Sequence, residues 1–146
     1  MPNRPVSKVI QDRYFLVSTP EKSVYAVAAL MKQSGTTAVL VVNGDNGVLR
    51  GILTERDVVF RVVADSLDPK ATPVGTVMTR EPQSIGPDKP FGHALHLMFE
   101  GGFRHMPVVD AAGRPIGLLS ARDALGLEVL RFCEELEQRD NLAQIL

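Results

Sequence analysis

The sequence predicts an α+β fold made of two copies of one strand–helix–strand–strand–helix (β-α-β-β-α) unit. The segment from Ser18, STPEKSVYAVAALMKQSGTTAVLVV, aligns without gaps with the segment from Ile85, IGPDKPFGHALHLMFEGGFRHMPVV. Further on, GILTERD aligns with GLLSARD, and the turn before it is one residue shorter in the second copy. A repeat that keeps its register over such a span indicates a duplicated supersecondary unit.

The first long element of each copy is predicted to be an amphipathic helix. Apolar side chains recur at the three- and four-residue spacing of one helix face. These positions are Val24, Val27, Ala28 and Met31 in the first copy, and Phe91, Ala94, Leu95 and Met98 in the second. Gly35 and Gly102 follow directly, as is typical of a residue that ends a helix.

Two strands joined by a tight turn are predicted next in each copy. AVLVV and MPVVD are apolar runs, and the Asn-Gly, Asp-Asn-Gly and Ala-Gly turns after them favour hairpins into GILT and IGLLS. New helices are expected to begin near Glu55 and Ala121.

Neither copy is long enough for a robust core of its own, so we expect the two to pack with pseudo-twofold symmetry. The predicted division is residues 1–67 for the first repeat, 68–75 for a linker, 76–127 for the second repeat and 128–146 for a C-terminal helical extension.

Composition narrows the possible classes of protein. The chain has 146 residues, of which 45% are hydrophobic and 23% charged, and a formal net charge of −1. These values are ordinary for a globular domain and give no general attraction to nucleic acid or anionic membranes. No apolar run is long enough to span a bilayer, and the N-terminus has no secretory pattern. With Cys133 as the single cysteine, we expect a cytoplasmic protein.

Two matching tetrapeptides are the clearest candidate sites: Thr54-Glu-Arg-Asp57 and Ser120-Ala-Arg-Asp123. We call them the first and second signatures. Each follows an apolar strand and opens a helix, where the hydroxyl can cap a backbone N–H and the dipole favours the carboxylate. As a capping box the pattern is imperfect, because Asp is shorter than the usual Glu or Gln.

The same residues also suit a bound nucleotide. An Asp carboxylate can accept two hydrogen bonds from a ribose diol, and free N–H groups at a helix start favour an anion. Arg56 and Arg122 lie in the first helical turns and could pair with phosphates.

At this point the sequence resembles a CBS domain pair (a Bateman module). The similarity rests on GILTERD, GLLSARD, FRHMPVVD and VMTREPQSIGPDKP, and covers roughly Val6 to Leu127. The resemblance implies a ligand such as AMP, ADP, ATP or S-adenosylmethionine in clefts between the repeats. It assigns ribose contacts to Thr54, Asp57, Ser120 and Asp123. It assigns base and phosphate contacts to Thr36, Thr37, Ala38, Phe103, Arg104 and His105, with Val17 and Ser84 flanking the base.

The two repeats differ in charge at these positions. The second repeat has Arg104 and His105 where the first has the uncharged Thr37 and Ala38. We therefore expect the better anion site to combine Arg104, His105, Ser120, Arg122 and Asp123, and the Thr54 and Asp57 cleft to be the weaker one.

Other functions find less support in the residues. No motif for nucleophilic catalysis or phosphate transfer is present, so we expect no catalytic residue, no enzyme activity and no required cofactor. His93, His96 and Glu100 share helical spacing, but they would face outward, so we expect no metal site. A structural module with empty clefts and, less favoured, a small-metabolite enzyme remain as alternatives.

Apolar surfaces predict partners. Ala26, Ala29 and Leu30 lie on the outer face of the first helix, where small apolar residues suit close helix packing. A stripe along the last helix comprises Leu125, Val129, Phe132 and Leu136, widened by Leu130 and Cys133. We expect a homodimer and an effector protein on another chain, because no output domain lies in these residues.

Overall fold

A computed structural model describes residues 3–145, except for the side chains of 127–132 and 145. The first half contains α1 Val6–Val9, β1 Leu16–Ser18, α2 Val24–Ser34, β2 Ala38–Val42, β3 Leu49–Thr54, α3 Glu55–Val58 and a π-helical segment Val59–Val63. The second half contains α4 Val74–Val77, β4 Thr79–Arg80, α5 Phe91–Gly101, β5 His105–Val109, β6 Pro115–Ser120 and α6 Arg122–Ile145. The predicted α+β fold is confirmed.

The strands form two small sheets, and β4 of the second half joins the sheet of the first. The first sheet has the order β1-β2-β3-β4, with β1 parallel to β2 and the other pairs antiparallel. The second contains the antiparallel pair β5 and β6, with a single parallel bridge from Ile85 to Val108 in the place of β1. In both hairpins the first residue of the leading strand lies opposite the hydroxyl residue of the signature: Ala38 opposite Thr54, and His105 opposite Ser120.

Helices α2 and α5 have the predicted apolar faces, on which Ala28 and Leu95 are half-buried. The buried residues are Val24, Val27 and Met31 on α2, and Phe91, Ala94 and Met98 on α5. The Ser23 side chain accepts a hydrogen bond from the Ala26 N–H and caps the start of α2. Both helices end at a glycine in the left-handed region, Gly35 at φ 66° and Gly102 at φ 70°, where a side chain would be strained.

The two cores exchange their short helices. The first core contains β1, α2, β2 and β3 residues together with Val74, Val77 and Met78. The second contains α5, β5 and β6 residues together with Val6, Val9 and Ile10. Packing therefore crosses the division expected at 1–67 and 76–127, and residues 68–75 do more than connect, since Val74 is fully buried.

Backbone hydrogen bonds fix this exchange on both sides. The Val6 N–H donates to the Lys89 carbonyl at 2.9 Å, and the Val74 N–H donates to the Lys22 carbonyl at 2.8 Å. These two hydrogen bonds occupy equivalent positions in the two halves, as pseudo-twofold symmetry requires. A four-residue helix is too short to be stable alone, so each is held by the core that it joins.

A third apolar cluster lies between the repeats. Its buried residues Ala38, Leu40 and Ile52 pack with partly buried residues that include Leu118 of the second repeat. Nearby, the Leu49 N–H donates to the Gly113 carbonyl at 3.0 Å. The strands of the two repeats are thereby joined into one unit.

The outer helix faces leave apolar side chains exposed. Leu30 on α2 is 45% exposed, Leu125 on α6 is 65% exposed, and Leu136 and Cys133 are exposed as well. The predicted contributions of Val129, Leu130 and Phe132 to the α6 stripe lie outside the described side chains. Within residues 3–145, no helix combines the length and apolar character needed to cross a membrane.

Candidate ligand-binding cleft

A cavity of about 660 Å³ lies where the end of β3 meets the start of β5. We call it the first cleft. The first repeat lines it with Ile52, Thr54, Glu55, Arg56, Asp57, Phe60 and Arg61. The second half of the chain lines it with Thr79, Pro82, Gln83, Gly102, Phe103, Arg104 and His105. The cleft thus combines a signature from one repeat with the strand start of the other.

Local structure explains why these groups converge. Residue Thr54 ends β3 and caps α3, so the first signature sits at the edge of its sheet. His105 begins β5, and its ring Nε2 lies 3.1 Å from the Thr37 hydroxyl, just before β2. This contact across the pseudo-twofold axis brings the two strand starts together, and the second-repeat loop then reaches the first signature.

Asp57 forms a complete capping box with Thr54. Its Oδ2 accepts from the Thr54 N–H at 3.0 Å and from the Thr54 hydroxyl at 3.2 Å, while the Thr54 hydroxyl accepts from the Asp57 N–H at 3.3 Å. At this signature the expectation of an imperfect box was wrong, because the short Asp side chain still reaches back to the cap residue. The second oxygen, Oδ1, has only longer contacts, to the Thr79 hydroxyl at 3.4 Å and to Arg61 Nε at 3.9 Å.

The first cleft is rich in cationic groups. The Arg56 guanidinium lies over the Phe60 ring at 5.1 Å, and Arg104 is exposed at the cleft wall. Arg61 donates to the carbonyls of Val77 and Met78, both at 3.1 Å, and its Nε lies 3.9 Å from Asp57 Oδ1. Planar guanidinium groups match the oxygens of a phosphate better than any other side chain does.

His105 lies between the two signatures and responds to both. Burial lowers the pKa of His105 from its ordinary value. The Glu55 carboxylate acts in the opposite direction, the Arg104 guanidinium lowers the pKa further, and the Asp123 carboxylate raises it. The neutral imidazole is therefore the form that the folded protein favours.

The second signature has a different set of contacts. The Asp123 Oδ2 accepts from the Ser120 N–H at 2.9 Å, and the Ser120 hydroxyl accepts from the Arg122 N–H at 3.2 Å. The Asp123 Oδ1 forms an ion pair with Arg13 Nη1 at 2.5 Å. The carboxylate is thus already held by a cation of the same chain.

The first cleft groups the charged residues differently from the sequence expectation. Arg104 and His105 line the first cleft with Thr54 and Asp57, and Ser120, Arg122 and Asp123 are not among the residues that line it. The reason is the crossing of the repeats, which places the strand start of one repeat beside the signature of the other. Within its own strand pair His105 still lies opposite Ser120, so it contacts both regions.

The remaining predicted residues lie at the periphery. Val17 on β1 and Ser84 before the Ile85 bridge are exposed and do not line the first cleft. Thr36 and Thr37 line a shallower depression of about 450 Å³ beside α2 and α3, with Glu55 and Val58. Arg122 is exposed at the start of α6.

Several lining residues of the first cleft were not predicted from the sequence. Phe60 and Arg61 follow the first signature within two helical turns, and their spacing from Asp57 could have revealed them. Thr79, Pro82 and Gln83 lie in VMTREPQSIGPDKP, a stretch that carried the family resemblance but received no role.

The outward histidines form a surface pair. His96 and Glu100 lie 3.2 Å apart on the exposed face of α5, and His93 is exposed on the same helix. Among the described residues, no group of three or more His, Cys, Asp or Glu side chains is placed to hold a metal ion.

Together, the fold and the cleft define a class: a tandem-repeat α+β protein with a cavity between its repeats that is lined by both charged and apolar side chains. A family model for the CBS domain matches residues 6–64 and 74–129, so the chain belongs to the CBS domain family. It is a tandem CBS pair, as the sequence predicted. Proteins built on such pairs are generally regulatory or signalling modules.

Curated relatives include both short and long proteins. The chain is 40% identical over 108 residues to the CBS domain-containing protein CBSCBSPB1 of Arabidopsis thaliana, covering 74% of this chain and 20% of that protein. It is 30% identical over 137 residues to an uncharacterised 17.7 kDa protein of Acidianus ambivalens, covering 91% and 80%. The chain therefore spans about a fifth of the first relative and most of the second.

Solved structures share the fold. A CBS-domain protein from Burkholderia ambifaria has a TM-score of 0.79 at 32% identity, over 87% of this chain and 95% of that one. A CBS domain protein from Pyrobaculum aerophilum complexed with AMP has a TM-score of 0.76 at 24% identity, over 88% and 99%. The CBS pair of protein MJ0100, in complex with methylthioadenosine and S-adenosylmethionine, has a TM-score of 0.79 at 21% identity, over 89% and 99%.

Proposed function

We propose that this chain is a regulatory module that binds an adenine nucleotide or adenosyl ligand in the first cleft and signals to a partner protein. The observation that carries the proposal is the cavity itself. It combines a carboxylate that can accept from a ribose, Asp57, with the cationic Arg56, Arg61 and Arg104.

The lining residues suit the three parts of such a ligand. Asp57 Oδ1 has only long contacts, so it can accept hydrogen bonds from a ribose diol. Arg56 and Arg104 provide guanidinium groups for phosphate or carboxylate oxygens. Phe60 and Phe103 offer aromatic surface for a purine ring. The volume of about 660 Å³ lies within the usual range for small-molecule sites.

The comparisons support the ligand class. Two structures of the same fold hold adenosyl compounds, AMP in one and methylthioadenosine with S-adenosylmethionine in the other. Phosphate is absent from the latter two ligands, so the shared element is the adenosine group. The choice among AMP, ADP, ATP and S-adenosylmethionine depends on which ligand group contacts Arg56 and Arg104.

The output of the module is part of the same proposal. A ligand between the repeats shifts their relative placement only by its differential affinity for the two arrangements. Exposed apolar residues on the outer helices support a homodimer and an effector contact; they include Tyr25, Leu30, Val59 and Val63. A cytoplasmic location is also proposed, supported by the single cysteine.

One observation favours a structural module instead. Both signature carboxylates already accept a backbone N–H as helix caps, from Thr54 and Ser120. The motifs would therefore stabilise the fold even with empty clefts, and a ligand-free interaction module would keep them.

Titration calorimetry of the chain with AMP, ADP, ATP, NADH and S-adenosylmethionine separates the two candidates. We expect at least one ligand to bind with a dissociation constant on the order of micromolar, about −8 kcal/mol. Asp57→Asn, which keeps the side-chain shape, should weaken that binding roughly 30-fold by removing a charged acceptor. The matched control Asp65→Asn changes an exposed carboxylate outside the cleft and should leave binding unchanged. If no compound of the panel binds, the structural module is the correct function.

A further inference from the structure

The two signature carboxylates have different partners on the oxygen that a ribose would need. We propose that Arg13 holds Asp123 and thereby restricts ligand binding to the first cleft, one ligand per chain. This inference rests on the proposed function, because it concerns which of two related sites a nucleotide can use. Arg13 would then be a determinant of occupancy rather than a contact to the ligand.

The carboxylate of the second signature is occupied from within the chain. Arg13 lies in the segment before β1, and its Nη1 contacts Asp123 Oδ1 at 2.5 Å. The Asp123 side chain is 10% exposed, as is that of Asp57, whereas Arg13 remains 45% exposed. The remaining oxygen, Oδ2, caps the Ser120 N–H at 2.9 Å. Both oxygens are therefore engaged.

At the first signature the nearest cation lies farther from the carboxylate. Its equivalent oxygen, Asp57 Oδ1, has a neutral hydroxyl at 3.4 Å and Arg61 Nε at 3.9 Å. Arg61 is turned to other acceptors, since its Nη1 donates to the carbonyls of Val77 and Met78 at 3.1 Å. At the corresponding position of the second repeat, four residues after Asp123, the chain has Leu127. The second signature thus takes its cation from the distant Arg13 instead.

The closer cation at Asp123 should weaken ligand binding at the second signature relative to the first. A hydrogen bond between two charged groups is stronger than one from a neutral hydroxyl, so a ribose diol competes poorly with a guanidinium for the same oxygen. When the binding-competent state is populated only in part, the apparent affinity falls by that fraction. A ligand at the second signature must displace Arg13, so its apparent affinity falls by the fraction of chains in which Asp123 is free.

The test measures stoichiometry with AMP as the probe, by calorimetry and by equilibrium dialysis. Wild-type chain should bind about one AMP, and Arg13→Gln should gain a second site at least about tenfold tighter than any residual second site of the wild type. Arg13→Lys retains the cation and should still bind one AMP per chain. Arg50→Gln removes an exposed arginine of β3 outside both signatures and should behave as wild type. Thermal unfolding of each variant verifies that it is folded.

The double variant Arg13→Gln/Asp57→Asn assigns the new site. One remaining AMP, lost again on adding Asp123→Asn, supports the inference. An unchanged stoichiometry in Arg13→Gln, or two tight sites in the wild type, overturns the inference and leaves the proposed function intact. If Arg13→Gln binds AMP while the wild type binds none, Arg13 is confirmed as the occupant and the first-cleft assignment fails. Absence of AMP binding in both chains overturns the inference directly.

Discussion

The two signatures share a backbone role and differ in everything beyond it. In both, the Asp side chain accepts the N–H of the residue that ends the strand, at 3.0 Å for Asp57 and 2.9 Å for Asp123. Around Asp57 the neighbours form a cavity with three arginines, whereas Asp123 is paired with Arg13. The helix start therefore explains the motif, and side chains from other parts of the chain decide whether the motif can receive a ligand.

The largest expected effect is on ligand binding, when Arg104 at the strand start of the second repeat is replaced by its first-repeat counterpart. Arg104→Thr introduces the residue that the first repeat has at the equivalent position, Thr37. Loss of one charge-assisted contact should weaken AMP binding by about tenfold to about 100-fold. Binding of uncharged adenosine should change little, because adenosine has no phosphate for Arg104 to contact. Calorimetry with both ligands measures the ratio, and an equal loss for both would show that Arg104 shapes the cleft rather than binding phosphate.

A smaller effect is expected on stability from the two caps. Thr54→Ala removes a hydroxyl that both accepts from the Asp57 N–H and donates to its carboxylate, and it should cost about 1 kcal/mol of unfolding free energy. Ser120→Ala removes only the contact to the Arg122 N–H, so about 0.5 kcal/mol is expected. Urea denaturation of the two variants gives both values. Equal costs would mean that the caps are energetically equivalent, contrary to their geometry.

The smallest expected effect is a pH dependence of the unfolding free energy, caused by His105 between the two signatures. Because burial lowers the pKa of His105, the unfolded chain binds more protons than the folded one as the pH falls through the ordinary histidine range. Unfolding free energy should therefore decrease from about pH 7.5 to about pH 5.5. His105→Gln keeps a polar group near Thr37 and should reduce this slope. The exposed His93 and His96 are present in both proteins and serve as the internal control, so an unchanged slope would place the titrating group elsewhere.

Features set by nearby residues were predictable from the sequence. The helix faces of α2 and α5, their terminal glycines and both hairpins follow from local periodicity and turn chemistry, and the structure confirms them. The tandem organisation followed from the repeat, and the family resemblance from the motifs GILTERD, GLLSARD, FRHMPVVD and VMTREPQSIGPDKP.

Features set by the relation between the repeats were not predictable. Arg104 was assigned to the signature that follows it in sequence, although it lies with the signature of the other repeat. Thr79 and Arg13 received no role, because their contacts with Asp57 and Asp123 join residues far apart in the chain. Sequence alone carries no signal for which strand start meets which helix start.

The exchange of α1 and α4 between the cores has a consequence for folding. A fragment that ended at residue 67 would lack Val74 and Val77 of its own core, and it would expose Val6 and Val9, which belong to the other. Each half therefore needs the other to close its apolar interior, and the two should unfold in a single cooperative transition. Because the two halves share their cores, a ligand that binds between the repeats should change the stability of both halves together.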